Sequence, residues 1–235
     1  MTVRSAVSLT TPSGAVHDAV LVRPEGEGPV PGVVVIHDIT GLRDDTERHC
    51  QRFAEAGFAA LAPDLYMGSV GCVLRTMVTM VRQRGAALEV IEAARAHLAG
   101  LPEVDAARIS VTGFCMGGGF ALLAAADGDF AVSAPFYGRV PLGPERLEGI
   151  CPTIAQFGGR DLLFRRQASW LSRHLDTLGV PHEVVVYPEA GHSFMNDHPG
   201  LAFQVSRYTP LRAAYDAEVE ARAWAAMLAF LERHG

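Results

Sequence analysis

The stretch Gly113-Phe114-Cys115-Met116-Gly117 constrains the fold of this chain more than any other. It follows a short β-prone run at 109–112 and precedes a run rich in alanine and leucine, 120–126, that favours a helix. The glycines on either side of Cys115 lack the side chains that would crowd a strand and a helix meeting at a sharp turn. The pattern predicts a strand–turn–helix with a thiol at the head of the helix, where the helix dipole favours thiolate.

A second interpretation of this cysteine stays open at this point. A single cysteine among apolar residues is commonly a small buried hydrophobe, and a five-residue pattern also arises by chance. The interpretation of Cys115 as a nucleophile therefore depends on its neighbours and on partners further along the chain.

Strands and helices are predicted to alternate from residue 32 onwards. Apolar or alternating runs predict strands at 2–9, 15–22, 32–37, 58–62, 109–112, 131–136, 153–157 and 182–187. Helical patterns cover 44–56, 74–99 with a break expected at Gly85, 120–126, 165–178 and 210–233. The alternation predicts an α/β fold with a mostly parallel sheet, helices on both faces and an N-terminal antiparallel hairpin. We expect residues 1–235 to form one domain of this kind.

The composition excludes several classes of function. The net charge of −6 argues against nucleic acid and anionic membrane surfaces as partners. No apolar run is long enough to cross a bilayer, and the first ten residues lack a signal pattern, so a cytoplasmic location is expected. The cysteines and histidines lack metal-site spacing, so neither a metal nor another cofactor is expected.

Two polar residues follow later strands and complete a possible catalytic set with Cys115. Asp161 follows the strand 153–157 and His192 follows the strand 183–187, each in a glycine-containing turn. The order nucleophile, acid, histidine is that of α/β-hydrolases, and the carboxyl ends of parallel strands share one edge of a sheet. Taken singly, Asp161 could instead cap the following helix and His192 could be a surface histidine.

The chemistry suits these residue types. A thiolate attacks a carbonyl carbon, and His192 carries the proton to the leaving oxygen while Asp161 orients and stabilises the imidazolium. An oxyanion hole is expected from the backbone N–H of Met116 and a second N–H after the strand 32–37, that of Ile39.

The chain resembles the dienelactone hydrolase family of α/β-hydrolases over nearly its whole length. The resemblance rests on Gly-Phe-Cys-Met-Gly-Gly at 113–118, Gly-Gly-Arg-Asp at 158–161 and Gly-His-Ser-Phe at 191–194, with two further blocks at His37–Gly41 and Ala62–Tyr66. It implies a cofactor-free, carboxymethylenebutenolidase-like hydrolase with Cys115, Asp161 and His192 as its catalytic triad.

Two departures from the family pattern concern the site. The family often carries a glutamate, paired with the resting cysteine, where this chain has Asp38. An arginine that binds the substrate carboxylate in dienelactone hydrolases is replaced by Asn196, so we expect a different substrate. Arg75, Arg82 and Arg84 could supply charge from another direction. Tyr137, Phe136, Phe194 and Met195 lie beside strand ends and are candidates for the pocket wall, although packing under the loops is an equal alternative.

The sequence therefore favours a hydrolase of small esters or lactones that forms a thioester at Cys115, acting as a monomer or small homo-oligomer. The alternative is a redox-sensitive or ligand-binding protein on the same fold, because a thiol can be oxidised where a serine cannot. A serine hydrolase using Ser110 or Ser193 is a weaker alternative, since neither serine lies in a glycine-flanked turn. Residues 68–71, with Cys72, are a candidate lid.

Overall fold

The computed structural model describes residues 1–26, 28–66, 76, 78–80 and 82–235 of the chain. Its strands are β1 (Thr2–Thr10), β2 (Val16–Pro24), β3 (Val30–Ile36), β4 (Ala59–Pro63), β5 (Val104–Phe114), β6 (Ser133–Phe136), β7 (Thr153–Gly158) and β8 (His182–Tyr187). Its helices are α1 (Asp44–Glu55), α2 (Ala86–Ala99), α3 (Met116–Asp127), α4 (Arg165–Leu178), α5 (Leu201–Ser206) and α6 (Ala217–His234), with a 3₁₀ turn at Pro144–Leu147. The candidate lid at 68–71, with Cys72 and Arg75, lies outside the described residues.

Within the described residues, the strands form one eight-stranded sheet in the order β1-β2-β4-β3-β5-β6-β7-β8. The β1–β2 hairpin is antiparallel, and β2 pairs antiparallel with β4. Every later pairing, from β4–β3 to β7–β8, is parallel. The prediction of a mostly parallel sheet preceded by an antiparallel hairpin is confirmed.

The central strands are apolar because both faces of the sheet are covered. Residues 33–36 of β3 have no exposed surface, and β4 is buried along its whole length. Helices α2 and α3 pack together on one face. Helices α1 and α6 lie on the other face, where Glu220 of α6 accepts hydrogen bonds from Arg48 and Arg52 of α1 at 2.6 and 2.7 Å.

The structure departs from the predicted elements in several places, and helix α3 already begins at Met116 rather than at residue 120. Strand β5 begins at Val104, earlier than the β-prone run at 109–112, and a register shift in its pairing with β3 separates its two parts. Helix α5 lies in a stretch for which the sequence predicts no element. Helix α6 begins at 217 rather than 210, because the Asp216 side chain caps it by accepting the N–H groups of Glu218 and Val219.

The break expected at Gly85 is present. This glycine has a φ of 129° and precedes the first residue of α2. In the part of the chain that the structure describes, no helix is long and apolar enough to cross a membrane.

Candidate active site

Cys115 lies at the turn between β5 and α3, in a backbone conformation that residues other than glycine rarely adopt. Its φ and ψ are 54° and −113°. A Cβ on Gly113 would lie 2.3 Å from the carbonyl oxygen of Gly117, and a Cβ on Gly117 would lie 2.4 Å from the carbonyl oxygen of Ile36. The two glycines are therefore required for the elbow to close against the end of β3.

The thiol of Cys115 differs in its surroundings from the other described thiols. Cys115 is partly exposed and directly precedes α3, so the positive end of the helix dipole faces its sulfur. Burial raises the pKa of Cys151 to about 12, and it raises the pKa of Cys50 further. Burial thus disfavours the thiolate form of both, which leaves Cys115 as the candidate nucleophile among the described thiols.

The structure brings Asp161 and His192 together at the ends of β7 and β8. The Nδ1–H of His192 donates to Oδ2 of Asp161 over 2.6 Å, and both side chains are almost completely buried. The other carboxylate oxygen of Asp161 accepts the backbone N–H groups of Leu163 and Phe164 at 2.9 and 3.0 Å. One carboxylate thus both orients the histidine and stabilises the turn leading into α4.

His192 is fixed by its backbone and by its ring. Its N–H donates to the carbonyl oxygen of Leu211, and its own carbonyl oxygen accepts the N–H of Ala214. The imidazole packs between the rings of Tyr137 and Phe164, with centroid separations of 4.9 and 5.1 Å. A surface role for this histidine is incompatible with its 2% exposure.

The electrostatics favour a charged His192. Burial opposes the imidazolium, but the hydrogen bond with Asp161 and the neighbouring Cys115 outweigh it and raise the pKa of His192 to about 9. Its buried Nε2 has no hydrogen-bond partner among the described residues. Cys115 is nevertheless close enough that hydrogen bonding and charge from its sulfur both contribute to the raised pKa of His192.

The two expected oxyanion donors lie on segments that meet at the elbow. Met116 is the first residue of α3, so its N–H has no intrahelical acceptor. Ile39 lies in the loop after β3, and in the described structure no hydrogen bond takes the N–H of either residue. The geometry leaves both groups available to a substrate oxygen.

Asp38 is placed next to this loop but is not paired with Cys115. Its Oδ1 accepts the backbone N–H and the hydroxyl of Thr40 at 2.8 and 2.6 Å. Its Oδ2 accepts Nε2–H of His198 at 2.5 Å. Burial alone would raise the pKa of Asp38, but the bonds from His198 and Thr40 lower it below its ordinary value.

The three residues expected to bind substrate lie in the packed layer beneath His192. Tyr137, Phe194 and Asn196 are each at most 2% exposed. The Tyr137 hydroxyl donates to Oδ1 of Asn196, whose amide nitrogen donates to Asp45. Phe194 packs edge-on against Tyr137. Phe136 and Met195 are likewise fully buried. The structure therefore places these side chains in support of the histidine rather than in an open pocket.

Sequence reasoning missed three contributors, namely Asp45, Arg48 and His198. Arg48 donates to Oδ1 of Asp45 and to the carbonyl oxygen of Met195, which fixes the loop after His192 against α1. The only sequence signal for Asp45 and Arg48 was their place on an amphipathic helix. His198 had no signal beyond its position six residues after His192.

The sequence profile of the dienelactone hydrolase family matches residues 17–235. The chain belongs to this family. A protein of Yersinia pestis named "Putative carboxymethylenebutenolidase" is 27% identical, and the alignment covers 88% of this chain and 80% of that one. Membership makes this chain an ester hydrolase.

Solved structures of the family have the same fold. A "Putative Dienelactone Hydrolase" from Klebsiella pneumoniae subsp. pneumoniae superimposes over the whole of both chains with a TM-score of 0.80 and 24% identity, a likeness of fold. The dienelactone hydrolase-like promiscuous phosphotriesterase P91, from metagenomic libraries, is 27% identical over 99% of each chain, with a TM-score of 0.81.

Proposed function

We propose that this dienelactone hydrolase family member cleaves small esters or lactones through a Cys115–His192–Asp161 triad. The observation that carries the proposal is the buried 2.6 Å contact between Asp161 and His192, beside a thiol at a helix N-terminus. A carboxylate that stabilises the imidazolium also stabilises the thiolate that forms with it.

The reaction has two halves. In the first, the Cys115 thiolate attacks the carbonyl carbon, the N–H groups of Met116 and Ile39 stabilise the oxyanion, and the carbon–oxygen bond breaks as His192 protonates the leaving oxygen. The product of this half is a thioester at Cys115. In the second, neutral His192 takes a proton from water, whose oxygen attacks the thioester and releases the acid and the thiolate.

The substrate proposed here is not a dienelactone. Asn196 stands where dienelactone hydrolases carry an arginine for the substrate carboxylate, and its amide groups are already taken by Tyr137 and Asp45. The site accordingly lacks this contact for a substrate carboxylate, and small uncharged esters or lactones fit it better.

A second candidate is a redox-sensitive protein, favoured by the partial exposure of Cys115 beside a raised-pKa histidine. A thiolate in such surroundings reacts with peroxide as well as with carbonyls. This function predicts oxidation of Cys115 without ester turnover.

The decisive experiment compares Cys115→Ala with Cys151→Ala in the hydrolysis of p-nitrophenyl acetate and a small uncharged lactone. We expect Cys115→Ala to lose ~10³-fold or more in kcat/KM, because the nucleophile is gone, and Cys151→Ala to keep wild-type turnover. Iodoacetamide labelling read by mass spectrometry then checks that Cys115 is the reactive thiol. Full activity in Cys115→Ala would refute the mechanism, and labelling or oxidation of Cys115 in a protein without turnover would favour the redox function.

A further inference from the structure

Asp38 is a buried carboxylate that organises the loop expected to bind the oxyanion. Its carbonyl oxygen accepts the Gly41 N–H at 3.2 Å and the Nδ1–H of His37 at 2.6 Å. Its side chain accepts both donors of Thr40. The position of Ile39, directly between these contacts, therefore depends on how Asp38 is held.

Asp38 also lies in a segment that packs against the elbow, because the carbonyl oxygen of the preceding His37 would lie 2.5 Å from a Cβ on Gly117. The hydroxyl of Tyr66 donates to the sulfur of Met116 at 3.4 Å, which places it at the elbow. Burial, and after it the charges of Asp38 and Cys115, raise the pKa of Tyr66. An uncompensated carboxylate beside the elbow would oppose ionisation of the thiol, because like charges disfavour each other in a buried site.

His198 supplies the compensating group. Its Nε2 lies 2.5 Å from Oδ2 of Asp38, and its side chain is 11% exposed. The ring packs edge-on against Phe203, with centroids 5.0 Å apart. The contact joins the loop after His192 to the loop after β3, two segments 160 residues apart in the chain.

We propose that His198 is a positioning residue whose imidazolium neutralises the charge of Asp38. Cys115 can then give up its proton to His192 while the loop that carries Ile39 stays in place. This inference rests on the proposed function and adds to it a residue outside the triad. Both oxygens of Asp38 are occupied by His198 and Thr40, so the carboxylate does not hold the resting thiol.

The charges around His198 favour its protonated form. Burial lowers its pKa, but the bond with Asp38 and the charges of Asp45 and Asp197 raise it above its ordinary value. A cavity of about 490 Å³ beside the ring connects it with solvent; its charged lining residues are Arg43, Asp44, Asp45, Glu47, Arg48 and Asp197. The Asp38–His198 ion pair is thus complete above the lowered pKa of Asp38 and is lost as pH rises through the raised pKa of His198.

The test measures the rate at which iodoacetamide alkylates Cys115 as a function of pH, in His198→Gln, His198→Arg and Asp38→Asn/His198→Gln. His198→Gln, which removes the cation, should slow alkylation at neutral pH by roughly tenfold. The pH at which the alkylation rate is half-maximal should rise by about one pH unit. His198→Arg, which keeps the charge, should restore much of the rate. The double variant should recover the wild-type midpoint, because the opposing carboxylate is gone as well.

The matched control is His174→Gln, a half-buried histidine of α4 whose Nε2 contacts the carbonyl oxygen of Pro141. It should leave the alkylation midpoint unchanged. An unchanged midpoint in His198→Gln, or a shift that the double variant does not reverse, would overturn the inference. Because alkylation needs no ester turnover, this result is independent of the Cys115→Ala assay that tests the proposed function.

Discussion

At the scale of single residues, the site combines a strained nucleophile with a rigidly held histidine. The left-handed φ of Cys115 is an unfavourable conformation of the order of 1–3 kcal/mol, and the elbow glycines let the surrounding backbone impose it. The strain turns the sulfur away from the strand and towards the sheet edge where His192 lies.

The raised pKa of His192 predicts the pH dependence of catalysis. With a pKa of about 9, the imidazolium that protonates the leaving oxygen is present below that pH and lost above it, so kcat/KM should fall on an alkaline limb near pH 9. Asp161→Asn should move this limb to lower pH and reduce kcat/KM by roughly 10²–10⁴-fold. The exposed Asp176→Asn serves as the control and should follow the wild-type profile. An unchanged limb in Asp161→Asn would contradict the assigned role.

At the scale of secondary-structure elements, the contact between α3 and the end of β3 holds the nucleophile and the oxyanion loop together. The first turn of α3 is buried on every side, and Gly117 lies directly against backbone oxygens of Ile36 and His37. These neighbours are main-chain atoms of a central strand, so they cannot move aside as a flexible side chain would.

Gly117→Ala should therefore destabilise the fold by about 1–3 kcal/mol or more, measured as the free energy of unfolding in urea. Gly100→Ala is the matched control, because this glycine has a φ of −83° and an added Cβ would meet only ordinary contacts at 3.5 Å. That control should change stability by less than about 1 kcal/mol. Equal effects of the two substitutions would argue against the close approach at the elbow.

At the scale of the whole molecule, helices on the face opposite α3 support the catalytic histidine. Glu220 of α6 accepts hydrogen bonds from Arg48, Arg52 and the Tyr215 hydroxyl, and Arg48 reaches the loop after His192. The cluster joins the first and last helices of the chain to the site.

Glu220→Gln should lower the free energy of unfolding by roughly 1–3 kcal/mol, less than for a fully buried pair because Arg48 and Arg52 keep part of their contact with water. Thermal and urea denaturation would measure the loss. The exposed Glu232→Gln, near the end of the same helix, should stay within about 0.5 kcal/mol of wild type. A Glu220 variant as stable as the Glu232 variant would show that the cluster contributes little.

The strands, helices and elbow that depend on short stretches of sequence were predictable, because neighbouring residues determine them. The apolar run at 32–37 indicated β3, and the helical spacing of apolar residues in 165–178 indicated α4. The glycines around Cys115 indicated the elbow. Chain order and strand-end placement predicted that Asp161 and His192 would share one edge of the sheet, and the structure brings them together. Their catalytic roles stay predictions.

Features that depend on distant pairing were not predictable from the residues. His198 meets Asp38 across 160 positions, and nothing in the run 197–200 distinguishes that histidine from a solvated one. Tyr137 is a candidate for the pocket wall because it follows a strand, and Asn196 because it aligns with the family's arginine, yet the two side chains are hydrogen-bonded to each other and buried. The predicted last helix includes residues 210–216, but the backbone of Leu211 and Ala214 binds His192 instead.

That last contact has a consequence for biosynthesis. The N–H of His192 is held by Leu211 and its carbonyl by Ala214, while Gly191 lies so close to the carbonyl oxygen of Arg212 that a Cβ there would fall 1.7 Å from it. A ribosome-bound chain translated only to residue 205 carries the thiol, the acid and the histidine, but it lacks the residues whose backbone holds that of His192. Since chains emerge from the N-terminus onwards, the backbone of His192 acquires these partners only after residues 211–214 have been made, so the histidine reaches its final position later than the last strand of the sheet.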